Sequence, residues 1–469
     1  MKAPTILLVA ALIVVCAPPT TNAATTGSRY LQLTRNRDVE RPTTLLRTTV
    51  TLKHLDSVYL QTDGTYSPQG AGSAADVYLV VDGNKVSNDS LTDWRAGEGS
   101  DAHPFDALAA SSLAPGRHVI EVRASSPRLR ACVVAAIEDC SRQTGGDTRT
   151  SGFRVLAGAN LSVVVHPAAH VVTERLATDS GPFDFDTTGY FTTDTHLTKP
   201  LPLTPLVSST VPPGEPAVAL GSGWLYPTGL SGDAMLAMLL DGNFPGDNVA
   251  SWGNTDLCIC ADLRAPVSVQ EFVAPASQPQ QVALGTIEFP WMPTWVPAYP
   301  EDPVVYWVAA GTTMSVLSGG FTTVGVAGGP ADISPDPPPA LVGGDLEGVP
   351  TGTNIELASA DVNVPRRTDG VVFFSAKALD QGGGGFGGPP YRGTISLWLT
   401  IDGKRAGPRV RQQVNTVDAG SGRTISTSYL AARNGRLKPG THHVQLWGRA
   451  DGPFRQAWTW PNAALIWFD

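Results

Sequence analysis

The sequence predicts an all-β protein of three tandem β-sandwich domains that follow a cleaved signal peptide. Gly (49) and Pro (39) make up about 19 % of the 469 residues, and charged residues only 16 %. That composition is typical of many short strands joined by turns. Three Asp-Gly pairs, beginning at Asp82, Asp241 and Asp402, each follow an apolar run. Apolar residues at helical spacing are scarce, which argues against a helical fold.

Each Asp-Gly pair predicts a β-hairpin, because a type I′ turn needs positive φ at both central residues. The pairs are 159 and 161 residues apart. Their flanks recur in the same order, since an apolar strand precedes each hairpin and a turn followed by an alternating strand comes after it. The turn reads "LAPGRH" in the first copy and "LKPGTH" in the third, and the second copy is a looser version. One β-rich unit is therefore predicted three times.

The repeat predicts the domain organisation. We expect a signal peptide at 1–23 and sandwich domains at 24–186, 187–349 and 350–469, each long enough to bury its own core. Short strands at close turn spacing are typical of Ig-like and jelly-roll sandwiches, and the sequence leaves that choice open. Segments 170–186 and 327–348 are predicted linkers, the second with three consecutive prolines that favour polyproline II.

The N-terminus is typical of an export signal. Lys2 precedes the apolar run "ILLVAALIVV", and cleavage is expected after Ala23. The run is too short to span a bilayer, and no later stretch approaches 18 apolar residues, so the mature chain is predicted to lack a membrane span. Cys16 leaves a lipoprotein alternative open, although Val15 before it is bulky. The expected location is secreted, cell-surface or periplasmic.

Charge excludes one class of partner. The formal net charge is −9, and about −10 once Lys2 is removed. The sequence has no basic footprint for nucleic acid.

Four cysteines follow the signal peptide, as expected for disulfides in an exported chain. Cys132 and Cys140 most simply close a short loop. Cys258 and Cys260 lie about 6.5 Å apart on one face of a strand, at the upper limit for a bridge. Local pairing, free thiols and a metal site remain open for this second pair.

Catalytic motifs are mostly missing. The chain lacks G-x-S-x-G and H-E-x-x-H, and "GGGGFG" is followed by "GPP" rather than by a helix. His442 and His443 are adjacent on a predicted strand, so they point to opposite faces, and we expect a surface or hairpin-lining role. Paired carboxylates could still hydrolyse glycans, but the sequence does not fix their separation. An enzyme is less favoured than a non-catalytic protein.

One segment partly resembles a calcium loop. Asp184, Asp186 and Thr188 occupy ligand positions 1, 3 and 5, with Gly189 at the turn position. Thr195 stands where the acidic position 12 should be. Ca²⁺ is therefore a weak candidate, with a solvated domain boundary as the alternative, and no other cofactor is expected.

A variable segment before the closing strand of each unit carries most of the functional expectation. It contributes aromatic rings with flat apolar faces and polar edges, which suit sugar rings or a protein ligand: Trp291, Trp295, Tyr299, Trp458 and Trp460. The alternative is that these rings cap the ends of their own sandwiches or pack between neighbouring units.

The sequence thus favours an exported, non-catalytic protein for binding or assembly, adhesin-like, carbohydrate-binding or part of an envelope or matrix, using aromatic loops. The alternatives are a secreted hydrolase acting on glycans and a purely structural surface or appendage subunit. The oligomeric state stays open.

Overall fold

The chain is all-β in the part that the structure describes. The computed structural model describes residues 29–69, 74–87, 90–93, 103–126, 152–166, 170–184, 203–227, 233–243, 249–253, 265–288, 305–319, 321–327, 352–364, 367, 370–380, 391–405, 409–416, 422–430, 437–451 and 457–468. These ranges hold strands in six antiparallel sheets and no helix. The predicted fold class is confirmed at that level, and the signal peptide lies outside the described residues.

The described residues form thirty strands, grouped by the sheets of each predicted repeat, so that the strands within 170–184 count with repeat 2 and the strand at 321–327 with repeat 3, although the predicted bounds lie at 186 and 349. Repeat 1 consists of β1 Arg29–Gln32, β2 Arg37–Val39, β3 Thr43–Leu52, β4 Asp56–Pro68, β5 Ala74–Val81, β6 Asn84–Lys85, β7 Ser90–Asp93, β8 His103–Leu113, β9 Gly116–Ser125, β10 Phe153–Val155 and β11 Asn160–His166. Repeat 2 consists of β12 His170–Arg175, β13 Ser180–Asp184, β14 Leu203–Val211, β15 Ala217–Pro227, β16 Asp233–Leu240, β17 Val249–Gly253, β18 Ala265–Val273, β19 Gln280–Glu288, β20 Val305–Val308 and β21 Thr313–Ser318. Repeat 3 consists of β22 Phe321–Ala327, β23 Ile355–Val364, β24 Gly370–Asp380, β25 Tyr391–Ile401, β26 Lys404–Arg405, β27 Val410–Thr416, β28 Gly422–Leu430, β29 Gly440–Asp451 and β30 Ala457–Phe468.

Each repeat contributes one sheet that carries the Asp-Gly turn, here called its hairpin sheet. The three hairpin sheets have the orders β3-β9-β5-β6 with β7 on β5, β14-β19-β16-β17, and β23-β29-β25-β26 with β27 on β25. The first strand of each has a register shift against its neighbour at a matching place, between Thr44 and Leu46, Pro205 and Val207, and Glu356 and Ala358. A bulge kept at one place bends each sheet in the same way.

The other sheet of each repeat is called its companion sheet. The orders are β1-β11-β4-β10-β2 with β8 on β4, β12-β21-β15-β20-β13 with β18 on β15, and β22-β30-β24-β28. Strands β12 and β13 lie in the segment 170–186, and both are paired in the second companion sheet. The expectation of a linker there was wrong, because "HVVTER" alternates and pairs with β21 despite its charged residues. The second predicted linker lies outside the described residues after residue 327.

Each of the first two repeats has an apolar core between its two sheets. In repeat 1 the core includes Val77, Leu79 and Ile120 from the hairpin sheet and Leu60 and Val163 from the companion sheet. In repeat 2 the corresponding cluster joins Leu236, Met238 and Leu284 to Ala219 and Val316. The alternate positions of the same strands therefore face away from these cores.

A third apolar cluster joins repeats 1 and 2 through the outward faces of their companion sheets. It consists of buried residues from β4, β8 and β11 and from β15 and β21: Tyr59, Leu108, Val164, Val218, Leu220 and Leu317. The register makes several of these equivalent. The first strand of repeat 1 ends at Gln32 opposite Asn160, and the first strand of repeat 2 ends at Arg175 opposite Thr313. Asn160 and Thr313 are therefore equivalent positions. Val164 and Leu317 each lie four residues further along and are equivalent too. Their strand partners Tyr59 and Val218 match as well.

Repeat 3 also packs against the companion sheets of repeats 1 and 2. The equivalent strands β8, β18 and β28, one from each companion sheet, all contact one another. Gln32 of repeat 1 donates a hydrogen bond from Nε2 to the carbonyl oxygen of Arg409 in repeat 3 at 3.2 Å. Arg175, the matching residue of repeat 2, acts electrostatically on Lys85 of repeat 1. The repeats are therefore in mutual contact rather than strung out.

Candidate functional site

The three Asp-Gly turns have the predicted geometry. Within the described ranges Asp82, Asp241 and Asp402 are the non-glycine residues with positive φ, at 49°, 50° and 52°. The glycines that follow them have φ of 86°, 76° and 72°. Positive φ at both positions is the signature of the type I′ hairpin turn.

Each aspartate also fixes its hairpin to the neighbouring strand. Its Oδ1 accepts a backbone N–H from Val119, Gln281 or His443, at 2.8, 2.8 and 3.0 Å in repeats 1, 2 and 3. This bond is local to the turn and is present in every copy.

A histidine completes the arrangement in repeats 1 and 3. The Nδ1 of His118 lies 2.7 Å from Asp82 Oδ2, and its Nε2 lies 2.8 Å from the carbonyl oxygen of Ala114. His442 repeats both contacts with Asp402 and Lys438 at the same distances. In repeat 2 Gln280 holds this position. The expectation of a hairpin-lining histidine is met by His442.

The contacts shift the ionisation of both partners. The hydrogen bond that the His118 ring donates to Asp82 raises the pKa of His118 above its ordinary value. For His442 the bond to the Lys438 carbonyl is the largest cause of a raised pKa, and Asp402 adds to it. Burial alone would raise the pKa of Asp82, but the bonds from Val119 and His118 leave it lowered.

The outward face of the first hairpin sheet carries charge. Glu121 is buried, yet its carboxylate contacts two arginines: Arg123 Nη2 at 2.6 Å and Arg47 Nε at 3.5 Å. A buried carboxylate held by two guanidinium groups is a satisfied structural group.

Asp76, on the same face, is less well compensated. Burial raises the pKa of Asp76 to about 6, while Lys85 and Ser125 partly oppose that shift. The ammonium of Lys85 lies 4.7 Å from the centre of the Tyr78 ring, and burial lowers its pKa. Among the described residues, the carboxyl of Asp76 is therefore the group with a large shift of its pKa, to about 6, and the exposed Lys85 is the cation with a resolved effect on it.

The outward face of the third hairpin sheet carries two tryptophans instead. Trp398 and Trp447 are cross-strand neighbours, with ring centroids 6.5 Å apart and planes 8° from parallel. The guanidinium carbon of Arg409 lies 4.1 Å from the centre of the Trp398 ring. Trp398 is only 5 % exposed, so this pair is largely an internal aromatic layer.

A chain of hydrogen bonds orients the second ring. Trp447 Nε1 donates to Thr400 Oγ1 at 3.0 Å, and Thr400 donates to Gln445 Oε1 at 3.0 Å. Gln445 Nε2 then donates to Glu356 Oε2 at 2.6 Å. Every link is satisfied, which fixes the indole plane.

The matching face of the second hairpin sheet is small and apolar. Ala237, four residues before its aspartate, holds the position of Tyr78 and Trp398 and is buried. Leu239 and Ala283 on the same face are buried too. One frame therefore presents a charged, an apolar and an aromatic face in its three copies.

The predicted aromatic residues are placed only in part. Trp458 and Trp460 lie in strand β30, opposite Leu379 and Lys377 of β24, so their expected position in a loop was wrong. Strand β30 begins at Ala457 and pairs with β24 along nearly its whole length, so both tryptophans are in a strand. Trp291, Trp295 and Tyr299 lie outside the described residues.

The predicted cysteine and calcium residues are mostly outside the described ranges as well. These are Cys132, Cys140, Cys258, Cys260, Asp186 and Thr188. Asp184 ends strand β13, opposite Val305. Within the described ranges no group of three or more His, Cys, Asp or Glu side chains is placed to hold a metal ion. In the same part of the chain, no helix has the length and apolarity to cross a bilayer.

The sequence interpretation missed Trp398, Trp447 and the His118 contact. The signal was present: Trp398 stands four residues before Asp402, where Tyr78 stands before Asp82, and both histidines follow a Pro-Gly turn. Only the strand register brings these residues together.

Comparison with known proteins adds little. No family model and no curated protein matches the chain. A solved structure titled "Structure of PNGF-II in P21 space group" aligns over 86 % of this chain and 84 % of its own, at 8 % identity and a TM-score of 0.27. The structure of the lipid-containing bacteriophage PM2 aligns over 94 % and 99 %, at 9 % identity and a TM-score of 0.12.

Proposed function

We propose that this chain is an exported, non-catalytic binding or assembly protein, a scaffold of three jelly-roll sandwiches packed into one body. In repeat 1 the companion sheet has the order β1-β11-β4-β8 and the hairpin sheet the order β3-β9-β5-β7, once the short strands β2, β6 and β10 are left aside. With β13, β20 and β26 likewise left aside, repeats 2 and 3 have the same order, as β12-β21-β15-β18 with β14-β19-β16-β17 and β22-β30-β24-β28 with β23-β29-β25-β27. Eight strands in two such sheets are the arrangement of a jelly roll.

The observation that carries the proposal is the apolar cluster between repeats 1 and 2. Tyr59, Val164, Val218 and Leu317 hold matching positions in two repeats and are buried in one cluster. Burying equivalent apolar faces is how copies of one unit associate, here within a single chain. The result is a fixed scaffold rather than flexibly linked modules.

The hairpin-sheet faces differ between the three repeats, but their central side chains are mostly buried, so we place ligand contact in the variable segments rather than on these faces. Ion pairs around Glu121, the apolar Ala237 face and the Trp398–Trp447 pair occupy the same place in three copies. A constant frame with different side chains is how sandwich proteins vary what they contact. The ligand class we propose is a glycan or a protein, with Trp291, Trp295 and Tyr299 as contacts in the remaining variable segment.

Export rests on the N-terminal pattern, and the proposed location is secreted, cell-surface or periplasmic. Disulfides at Cys132–Cys140 and between Cys258 and Cys260 fit such a compartment. Mass spectrometry of the exported chain, with and without reduction, tests both: an N-terminus at Ala24 and a loss of thiol reactivity are expected.

The functional test compares binding with turnover. The mature chain is applied to a glycan array and, separately, incubated with a panel of glycosidic substrates. We expect retention or self-association without turnover, and Trp291→Ala with Trp295→Ala to weaken retention at unchanged melting temperature. Turnover of a glycosidic substrate by an activity that co-purifies with the chain would contradict the proposal and favour the hydrolase.

A further inference from the structure

The two Asp–His pairs form a contact that requires a proton. An ionised carboxylate and a peptide carbonyl accept hydrogen bonds and donate none. His118 faces one of each, Asp82 Oδ2 at 2.7 Å and Ala114 O at 2.8 Å. Both ring nitrogens must therefore carry hydrogen for both bonds to exist, so the geometry selects the imidazolium form.

The pair joins two separate turns. Asp82 sits in the hairpin turn between β5 and β6, while Ala114 sits in the Pro-Gly turn between β8 and β9. The side chain of His118 is 13 % exposed and that of Asp82 is 42 % exposed. The bridge through the ring is thus the side-chain link between a strained positive-φ turn and its neighbour.

Repeat 3 contains the same link, built from different neighbours. His442 joins Asp402 to the carbonyl of Lys438 at 2.7 and 2.8 Å, with 13 % and 50 % exposure of the two side chains. Repeat 2 keeps the backbone bond to Asp241 but has Gln280 at the ring position, and an amide has no proton to lose near neutral pH.

Few other charges act on these pairs. Among the described residues, Asp82 is the charged group with a resolved effect on His118. Asp402 is acted on by His442 and also by His443, whose Nδ1 contacts Asp361 Oδ1 at 2.8 Å on the exposed side.

We propose that His118 and His442 are proton-dependent latches that tie the Asp-Gly hairpin to the Pro-Gly turn in repeats 1 and 3 and release it in alkaline solution. Loss of one ring proton leaves two acceptors facing each other, either at the carboxylate or at the carbonyl. That contact is repulsive, and the turn loosens. Repeat 2 has Gln280 at this position and so has no ring proton to lose as pH rises.

Thermodynamic linkage between protonation and folding gives the direction in which stability changes with pH. A histidine whose pKa is raised by folding stabilises the fold fully below its unfolded value of 6.5, and that contribution is lost as pH rises through the folded value. The aspartates act in the opposite direction, because their lowered pKa gives stability above 3.8 that is lost on acidification below it. Each latch is therefore closed at pH values between the lowered pKa of its aspartate and the raised pKa of its histidine.

The test measures local opening repeat by repeat in the full mature chain. Hydrogen exchange of peptides covering 82–85 and 114–119, 402–405 and 438–443, and 241–243 and 276–281 is followed from pH 6 to 9 and corrected for the intrinsic rate. We expect protection in repeats 1 and 3 to fall by about tenfold over this pH range, with no fall in repeat 2. An equal fall in repeat 2 would overturn the latch.

Substitutions exchange the latch between repeats. His118→Gln and His442→Gln install the residue of repeat 2 and should abolish the pH dependence in their own repeat only. Gln280→His should create it in repeat 2. Persistence of the pH dependence in the double Gln variant would overturn the proposal.

Direct titration keeps the proposal testable should a variant fold poorly. In wild-type protein labelled with ¹⁵N-histidine, both ring nitrogens of His118 and His442 should carry hydrogen at pH 6.5. Neutral rings at His118 and His442 at that pH would contradict the latch.

Discussion

Tyr59 and Val218 hold the same position in two repeats, and both are buried in one apolar cluster between the companion sheets. A repeat protein whose units acted independently would present these side chains to water. Their burial makes the contact between repeats part of the fold. It also explains why the outward faces of the companion sheets are apolar at their centre, since Val164 and Leu317 lie there too.

The first prediction concerns this cluster. Leu317→Ala removes a side chain that is 1 % exposed, and large-to-small changes at such sites cost about 2–5 kcal/mol. Leu55→Ala makes the same change at a leucine that is 67 % exposed and should stay within about 0.5 kcal/mol. Guanidinium unfolding of both variants gives the comparison. Equal costs would mean that the cluster does not hold repeats 1 and 2 together.

The second prediction concerns glycines inside the first two repeats. A Cβ at Gly64 would lie 2.6 Å from the ring of Phe105 and 2.7 Å from Ala159 Cβ, and one at Gly223 would lie 2.6 Å from Thr312 Oγ1. Gly64→Ala and Gly223→Ala should each cost about 1–3 kcal/mol through overpacking. Ser112→Ala on the exposed side of β8 is the control. If neither glycine variant changed the free energy of unfolding, the cores would be less tightly packed than the structure indicates.

The third prediction concerns the hydrogen-bond chain behind the tryptophan pair. Thr400→Val removes the hydroxyl that accepts from the indole N–H of Trp447 and donates to the side-chain carbonyl oxygen of Gln445. The cost should be about 1–3 kcal/mol, with a change in tryptophan fluorescence. Thr51→Val at an exposed position of β3 is the matched control. If the two variants have the same melting temperature, the chain of hydrogen bonds does not orient the Trp447 ring.

The fourth prediction concerns Asp76. Burial raises its pKa to about 6, so folding is favoured with the carboxyl protonated, and that contribution is lost as pH rises from 3.8 through 6. Asp76→Asn should therefore stabilise the protein at pH 7 by on the order of 1–3 kcal/mol and leave it nearly unchanged at pH 4. Asp361→Asn, at a side chain that is 71 % exposed, is the control. A variant less stable than wild type at pH 7 would contradict the desolvation argument.

The hairpins could be predicted from sequence because their chemistry is local. Asp82 and Gly83 adopt positive φ for reasons contained in two residues, and the spacing of three such pairs reveals the repeat. Strands β12 and β13 were not predicted, since short polar segments become strands only by pairing with distant β20 and β21.

The functional faces were harder to predict for the same reason. Trp398 and Trp447 are 49 positions apart in the chain and meet only through the register of β25 with β29. Packing of one repeat on another, as at Tyr59 and Val218, depends on the shape of whole sheets. Sequence patterns carry the period of a strand but not the identity of the sheet that covers it.

Small-angle X-ray scattering of the mature chain tests the central claim most directly. Three repeats packed around shared companion sheets should give a radius of gyration of about 22 Å, the value for a compact chain of this length. Three sandwiches in a row, joined only by linkers, would give a clearly larger radius of gyration. A value near 22 Å that rises when Leu317 and Val218 are both changed to Asp supports the packed scaffold, whereas an extended particle in the wild-type chain would contradict it.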